Sequence, residues 1–375
     1  MRGRILLNGN AETSGDLVRG ARALLLGSRH VDPEVAAARR VLLITTAWRD
    51  EHDEAHVKRD INALGLASSF DGGFDRTIVN LSLGAEMRAV LEASPSVRDA
   101  LTEIRATRDR ARQLYLAHNG HLVTMVRRVV AEARPLLDAA DRPTLSTLAD
   151  AEHAPSGGDA RSLYRFTLAR ELRHLLETLA GNDDRMVELS AHIDEEALDA
   201  IGVPYAAGWK DARDRLAGRI LGANSIVLFG GNLDALLEAL RFFRLRDVLF
   251  EALRRGASIV GTSAGAMVLG ERIIVYDDYR EREFQLWERG LGLVRGIQLF
   301  PHCMERIQTD DPDNLAYLAR RFRHRVSVGL NAGSFLLADL EARRLTSTGD
   351  ADGVYVFGPT GEKRRLDAGS TIDAP

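Results

Sequence analysis

The residues best suited to chemistry form a short turn, Gly261-Thr262-Ser263-Ala264-Gly265. This turn fits the pattern G-x-S-x-G and lies between a strand-like run, 257–260, and a predicted helix, 264–270. A strained strand-to-helix turn exposes its serine hydroxyl, and the following helix N-terminus favours the negative charge that develops on an attacked carbonyl. The same five residues also suit an ordinary glycine-rich loop, so their interpretation as a nucleophile turn depends on partners elsewhere in the chain.

A second glycine-rich turn, Phe229-Gly230-Gly231-Asn232, ends the preceding predicted strand. If the two strands are parallel neighbours, this turn lies beside Ser263 at the carboxyl edge of the sheet, where such sheets bind ligands. The N–H groups of Gly230 and Gly231 would then join that of Ala264 in an oxyanion hole. Asn232 is a candidate substrate contact, and it also suits the N-cap of the next helix.

Serine also needs a base that takes its proton. The chain has ten histidines, and His302 differs from most of them because it follows an apolar run, Gln298-Leu299-Phe300-Pro301. Such a run delivers a side chain at a strand end rather than on a helix face. We therefore take His302 as the candidate base.

The elements that must position these residues alternate between strand and helix in two stretches of the chain. The first stretch spans about residues 1–85 and the second begins near Gly208, and their buried strand-like runs predict an α/β fold with a mostly parallel sheet flanked by helices. Between them, from Leu83 to Gly208, apolar residues recur at helical spacing. We predict a discontinuous catalytic domain, 1–85 and 206–375, interrupted by a large all-α insertion, 86–205.

Four segments together resemble a known family of serine peptidases, the one that contains aspartyl dipeptidase (dipeptidase E) and cyanophycinase. They are the turn at Phe229–Asn232, the run Gly261–Ala266, the run Gly290-Leu291-Gly292-Leu293 that leads to Pro301-His302, and Val328–Ser334. The resemblance is loose over 1–85, good over about 210–360 and absent between them. It implies a flavodoxin-like, class I glutamine amidotransferase-like fold in which serine replaces the cysteine of related enzymes. It also implies Ser263 as nucleophile, His302 as base, the backbone at Gly231 and Ala264 as oxyanion hole, and no cofactor.

One position departs from the family pattern. Many members carry a glutamate where this chain has Ala332. Loss of the only carboxylate that orients the histidine would cost on the order of 10⁴ in rate. Asp277 and Asp278 offer a replacement, since they follow Ser263 at the spacing of the triad aspartate in the dipeptidase branch, and we favour Asp278. The alternative is that this acidic pair belongs to a solvated turn.

Composition excludes several other classes of protein. The chain has 375 residues, 45% of them hydrophobic, and a formal net charge of −4, which suits neither a disordered chain nor one whose main partner is nucleic acid. No window approaches the roughly 20 apolar residues of a membrane span, and the N-terminal apolar run stops at Asn8, too early for a signal peptide. A single cysteine, Cys303, fits a reducing compartment. We therefore expect a cytoplasmic protein with no membrane partner.

Two further features have ordinary explanations. His52 and His56 flank an acid at a spacing similar to that of zinc peptidases, but Asp53 replaces the required glutamate and the stretch is highly charged. A solvated helix face is the better interpretation, and we predict no metal site. Cys303 lacks the surroundings of a nucleophile turn, which favours a small buried residue.

The leading hypothesis is a serine hydrolase that cleaves an aspartyl peptide or isopeptide bond, α- or β-linked, in a peptide or small-molecule substrate. Arg306 is a candidate contact for the substrate carboxylate, or else a surface helix arginine. The alternative is a catalytically impaired scaffold protein that works through the helical insertion. The apolar stripe of that insertion also suits a subunit interface, so a homo-oligomer is possible.

Overall fold

The computed structural model describes residues 2–10, 13–66, 78–137, 144–151, 159–277, 283–323, 325–348 and 353–372. The strands are β1 (Arg4–Asn8), β2 (Val41–Ile44), β3 (Ile78–Asn80), β4 (Ser225–Leu228), β5 (Ser258–Thr262), β6 (Arg272–Asp277), β7 (Glu283–Arg289), β8 (Ile297–Pro301), β9 (Val326–Leu330), β10 (Phe335–Asp339), β11 (Arg344–Thr348), β12 (Val354–Phe357), β13 (Lys363–Leu366) and β14 (Thr371–Ile372).

The helices are α1 (Ser14–Leu26), α2 (Pro33–Ala38), α3 (Ala55–Ile61), α4 (Leu83–Ala93), α5 (Pro95–Ala133), α6 (Thr144–Ala149), α7 (Ala160–His192), α8 (Leu198–Ala200), α9 (Trp209–Leu221), α10 (Leu233–Phe242), α11 (Leu245–Arg255), α12 (Ala264–Leu269), α13 (Cys303–Arg306) and α14 (Pro312–Arg321). Single helical turns also occur at Asn62–Leu66, Arg134–Leu136, Ile193–Ala197 and Val203–Tyr205.

The largest sheet has the strand order β14-β11-β10-β1-β5-β4-β2-β3. The run from β1 to β3 is parallel, whereas β10, β11 and β14 continue the sheet antiparallel beyond β1. The predicted α/β class with a largely parallel sheet is therefore confirmed. The antiparallel extension has no signal in the sequence pattern, because strand direction is set by long-range pairing.

Both faces of the parallel strands are covered, which explains their continuous apolar sequences. In β1, Ile5 and Leu7 belong to one core and Leu6 to another on the opposite face. The second of these cores includes Leu17 and Leu25 of α1. The side chains alternate between the two faces, as in any strand, but here neither face meets water.

A smaller sheet has the order β13-β12-β9-β8, and β6 pairs with β7 as an antiparallel hairpin. Within the smaller sheet β8 and β9 are parallel, with Pro301 opposite Leu330. The residues that follow these two strands therefore emerge at the same end. This pairing brings His302 near the segment that begins at Asn331.

Every element described between β3 and β4 is helical, as the periodicity predicts. Helix α4 and the start of α5 share the main core with the sheet through Met87, Leu91 and Leu101. Farther along, α5 and α7 pack together with β7 and α14. The division into a catalytic domain and an insertion at 86–205 stays a prediction. In the part of the chain that the structure describes, no helix has the length and apolarity needed to cross a membrane.

A buried ion pair joins the long helices to the rest of the molecule. Arg321 of α14 donates to both carboxylate oxygens of Asp183 on α7, at 3.0 and 2.9 Å, and the two side chains are 0% and 1% exposed. Arg321 also donates to the Phe284 carbonyl at 3.1 Å and to Gln285 Oε1 at 2.9 Å, while the Tyr115 hydroxyl donates to Asp183 at 2.6 Å. This network is termed the buried arginine cluster below.

Candidate active site

Ser263 lies on the turn between β5 and α12, at the carboxyl edge of the large sheet. Its backbone has φ +49° and ψ −117°, a conformation that non-glycine residues rarely adopt. A Cβ at Gly265 would lie 2.2 Å from the Leu228 carbonyl oxygen, and one at Gly261 would lie 2.7 Å from the Gly265 carbonyl oxygen. The two glycines of the G-x-S-x-G pattern are therefore required by the close approach of the backbone on each side of the serine.

Gly230 and Gly231 lie against this turn, as the parallel pairing of β4 and β5 predicts. A Cβ at Gly230 would lie 2.7 Å from Ser263 Cβ and 3.3 Å from Ser263 Oγ. Gly231 has φ +134°, and a Cβ there would lie 2.3 Å from the Ala47 carbonyl oxygen. Asn232 Oδ1 accepts a hydrogen bond from the Ala235 N–H at 3.0 Å, so its predicted N-cap role is confirmed.

Asn8, which ends β1, holds the Ser263 turn from the opposite side. The Ser263 N–H donates to the Asn8 carbonyl at 2.9 Å, and the Thr262 hydroxyl donates to Asn8 Oδ1 at 2.9 Å. Asn8 Nδ2 in turn donates to the Ser334 carbonyl at 2.8 Å. Asn8 belongs to none of the site motifs predicted from the sequence, although a polar residue that ends a buried strand at the carboxyl edge of a sheet is a usable signal.

His302 follows β8 in the left-handed region, with φ +53°. Its Nε2 lies 3.4 Å from Ser263 Oγ, and its side chain is 15% exposed. Burial is the main cause that lowers the pKa of His302 below its usual value, and the positive charge of Arg306 adds to it, while Glu305 opposes both. This lowering of the pKa favours the neutral imidazole, which is the form that accepts a proton. The contact with the hydroxyl is long for a hydrogen bond, and a small approach of the two groups would bring it within the range needed for proton transfer.

The other ring nitrogen of His302 faces a carboxylate that the sequence did not indicate. Glu305 Oε2 lies 3.6 Å from His302 Nδ1, and the Glu305 side chain is 72% exposed. The two residues are three apart across the short helix α13, a spacing too common to serve as a signal. Of the two acids predicted for this role, Asp278 lies outside the described residues. Asp277 ends β6, and its side chain is likewise outside the description.

Asn331 fixes the turn that carries His302. Its Oδ1 accepts hydrogen bonds from the Met304 N–H at 2.9 Å and from Cys303 Sγ at 3.2 Å. Burial raises the pKa of the Cys303 thiol to about 12, which confirms its interpretation as a small buried residue. Ala332, at the position of the family glutamate, forms a parallel bridge with Asn10.

A cleft of about 360 Å³ opens in front of Ser263 and His302. Gly230 and Gly231 form part of its floor, and Thr13, Trp48, His56 and Phe229 are among its other lining residues. Arg306 is exposed and is not part of this lining, although its charge reaches His302. The structure therefore brings Ser263, His302 and the two glycines together and leaves Arg306 at the periphery.

His52 and His56 lie on different surfaces. His56 lines the cleft, whereas His52 lines a neighbouring cavity of about 620 Å³. Within the described ranges, no group of three or more histidine, cysteine, aspartate or glutamate side chains is arranged to hold a metal ion. The predicted shared helix face is wrong, because His52 precedes α3, which begins at Ala55, and only His56 lies on that helix.

Taken together, the fold and the site define a serine–histidine pair on a strand-to-helix turn at the carboxyl edge of an α/β sheet. Residues 203–345 match the family model of peptidase family S51. No curated protein matches the chain. Among solved structures, a peptidase from an acI-B1 Actinobacterium is similar over 99% of this chain and 97% of its own, at 14% identity and a TM-score of 0.42. A likeness that distant does not indicate function.

Proposed function

We propose that this protein is a serine peptidase in which Ser263 is the nucleophile and His302 the general base. The observation that carries the proposal is the Ser263 turn, which places the hydroxyl 3.4 Å from His302 Nε2 in the lining of a cleft. The match of residues 203–345 to peptidase family S51 supports it independently of the geometry.

In the proposed reaction, Ser263 Oγ attacks the peptide carbonyl carbon as His302 Nε2 takes the hydroxyl proton. The N–H groups of Gly231 and Ala264, with Gly230 beside them, stabilise the oxyanion. Collapse of the tetrahedral intermediate breaks the C–N bond, and the imidazolium gives its proton to the leaving amine. A water molecule activated by the same histidine then hydrolyses the acyl-enzyme and returns Ser263 to its starting state.

We assign the stabilisation of the imidazolium to Glu305, because its carboxylate faces Nδ1. Asp278, and less so Asp277, remain proposed alternatives from the sequence. An exposed carboxylate stabilises a charged partner less than a buried one does, since water screens the pair. Glu305 therefore supports turnover without being indispensable to it.

The proposed substrate contains an aspartyl bond, as in the family that the sequence resembles. Arg306 is the candidate partner for the aspartyl carboxylate, and Asn232 is a further candidate contact. Because Arg306 lies at the rim of the site, its contact with a substrate would be partly solvated. We expect it to affect KM more than kcat.

Labelling by a fluorophosphonate probe tests the proposed nucleophile. The wild-type chain should form a covalent adduct that peptide mapping assigns to Ser263, and Ser263→Ala should form none. Ser370→Ala is the control, because Ser370 does not line the cleft and its carbonyl accepts from the N–H of Ser347 on β11, which β10 and β1 separate from β5. This variant should label as the wild type does. A wild-type protein that never reacts at Ser263 would overturn the proposal and favour the scaffold hypothesis.

A further inference from the structure

One wall of the cleft is aromatic. Trp48 stacks on His56 with ring centroids 5.5 Å apart and planes 19° apart, and its ring meets Phe229 edge-on at 4.9 Å. Leu17 and Val57, both buried, complete the apolar part of this lining. The set of Trp48, His56 and Phe229 is called the aromatic wall below.

The aromatic wall is held in place by the backbone around it. The Trp48 N–H donates to the Thr45 carbonyl at 2.7 Å, and the Ala47 carbonyl accepts from the Asn232 N–H at 2.6 Å. The Thr45 hydroxyl donates to the Glu51 carbonyl at 2.7 Å, which closes the loop after β2. Ala47, which precedes Trp48, is thus bonded to the residue that follows Gly230 and Gly231, so the backbone links the wall to the proposed oxyanion hole.

The charges in the described lining of the cleft do not suit an acidic side chain of a substrate. Among the described residues that line it, none is an arginine or a lysine, and the only ionisable side chains are those of His56 and His302. A carboxylate in this part of the cleft would lose hydration without gaining an ion pair. The lining instead suits a side chain that is itself aromatic or apolar.

We propose that the aromatic wall is a specificity subsite for an aromatic side chain adjacent to the scissile bond. This inference rests on the proposed serine peptidase function and adds to it the chemistry of one substrate position. A substrate aromatic ring would pack against Trp48 beside Ser263, and rings prefer such offset or edge-on contacts. A preorganised wall makes the contact more favourable because little side-chain freedom is lost on binding.

The subsite predicts a substrate preference that can be measured with matched dipeptides. Ala-Ala, Phe-Ala and Ala-Phe, with Asp-Ala and Asp-Phe beside them, vary one position at a time. Burial of a phenylalanine ring predicts that kcat/KM rises about 10- to 100-fold when phenylalanine replaces alanine at one of the two positions. Equal kcat/KM for alanine and phenylalanine at both positions would overturn the subsite.

Variants of the aromatic wall test whether its residues cause the preference for phenylalanine. Trp48→Ala should remove most of the phenylalanine advantage, measured as the ratio of kcat/KM for the phenylalanine peptide to kcat/KM for Ala-Ala, and Trp48→Phe should restore part of it. His56→Ala should reduce the advantage as well. The matched control is His52→Ala, because His52 lies four residues before His56 but lines the neighbouring cavity rather than the cleft. A preference that survives both Trp48→Ala and His56→Ala would contradict the assignment.

Three measurements separate this inference from the proposed function. Fluorophosphonate labelling of Ser263 in every variant shows whether the nucleophile is intact, and thermal unfolding shows whether the variant is folded. Binding of Ala-Phe and Phe-Ala to Ser263→Ala, by calorimetry, then tests the subsite without catalysis. Binding tighter than that of Ala-Ala supports the subsite even if no peptide is cleaved, and equal binding overturns it even if Ser263 labels.

Discussion

Two polar clusters in this protein differ in their access to water. In the buried arginine cluster, Arg321 and Asp183 are 0% and 1% exposed and form a two-pronged hydrogen-bonded pair surrounded by further partners. At the candidate active site, the Ser263–His302 contact is 3.4 Å long and the nearby Glu305 is 72% exposed. The first cluster is closed, and the second opens onto a cleft.

The difference shows how burial separates structural from chemical roles. A closed cluster uses its donors and acceptors on one another, so it fixes the helices that carry it and offers nothing to a ligand. The open pair keeps a hydroxyl and an imidazole loosely bonded and within reach of a substrate. Substitutions in the active site should therefore lower activity more than stability, and substitutions in the buried arginine cluster should lower stability more than activity.

The largest effect is expected for Ser263→Ala. Loss of the nucleophile in a serine peptidase costs roughly 10⁶ in kcat, so hydrolysis of any substrate found for the wild type should fall to background. Thermal unfolding should change little, because among the described residues the hydroxyl makes a hydrogen-bond contact with His302 alone, at 3.4 Å. Full activity in this variant would remove Ser263 from the mechanism.

Asp183→Asn should have the opposite profile. Removal of one charge from a buried pair costs about 3–5 kcal/mol of stability, which chemical denaturation measures directly. The matched control is Arg320→Gln, since the adjacent Arg320 pairs with the 60%-exposed Asp150 and should contribute under about 1 kcal/mol. Equal losses in the two variants would show that the buried cluster has no special structural role.

Gly230→Ala should damage the site without unfolding the protein. Its new Cβ would approach Ser263 Cβ to 2.7 Å and displace the serine or the turn beside it. We expect a loss of roughly 10²–10³ in kcat, the size of a lost oxyanion-hole donor. Gly218→Ala is the control, because a Cβ there meets nothing within 4 Å. Undiminished activity in Gly230→Ala would contradict the tight packing around Ser263.

The smallest expected effects are two opposite shifts in the pH dependence of kcat/KM. Arg306 lowers the pKa of His302 and Glu305 raises it. The acid limb of kcat/KM follows the pKa of the base in the free enzyme, since only the neutral imidazole accepts a proton. Arg306→Gln should therefore move that limb to higher pH, and Glu305→Gln should move it to lower pH. Shifts of the same sign would show that another group controls the limb.

The parts of the site that the sequence predicts are those that directly follow a strand. The glycines around Ser263 and at Gly230 and Gly231 form a recognisable pattern at two strand ends, although backbone atoms that they approach, at Leu228 and Ala47, are distant in the sequence. His302 is readable because an apolar strand ends directly before it. The strands of the parallel sheet can also be predicted from the sequence, since burial on both faces gives continuous apolar runs.

Other features depend on pairings that no local pattern encodes. Arg321 and Asp183 are 138 positions apart, and each looks like a surface charge in its own helix. Glu305 is one of many acids three residues from a basic group. The aromatic wall is of the same kind, because Trp48 and Phe229 come from separate strand ends that meet only when β2 and β4 pair.

The hydrogen bonds of Asn8 have a consequence for synthesis of the chain. Asn8 contacts Thr262 and Ser334, which lie 254 and 326 positions away in the sequence. Contacts of such separation form late, because the intervening chain must first be ordered. A ribosome-bound chain therefore has no finished Ser263 turn until nearly the whole polypeptide has emerged, so the reactive serine is assembled at the end of folding.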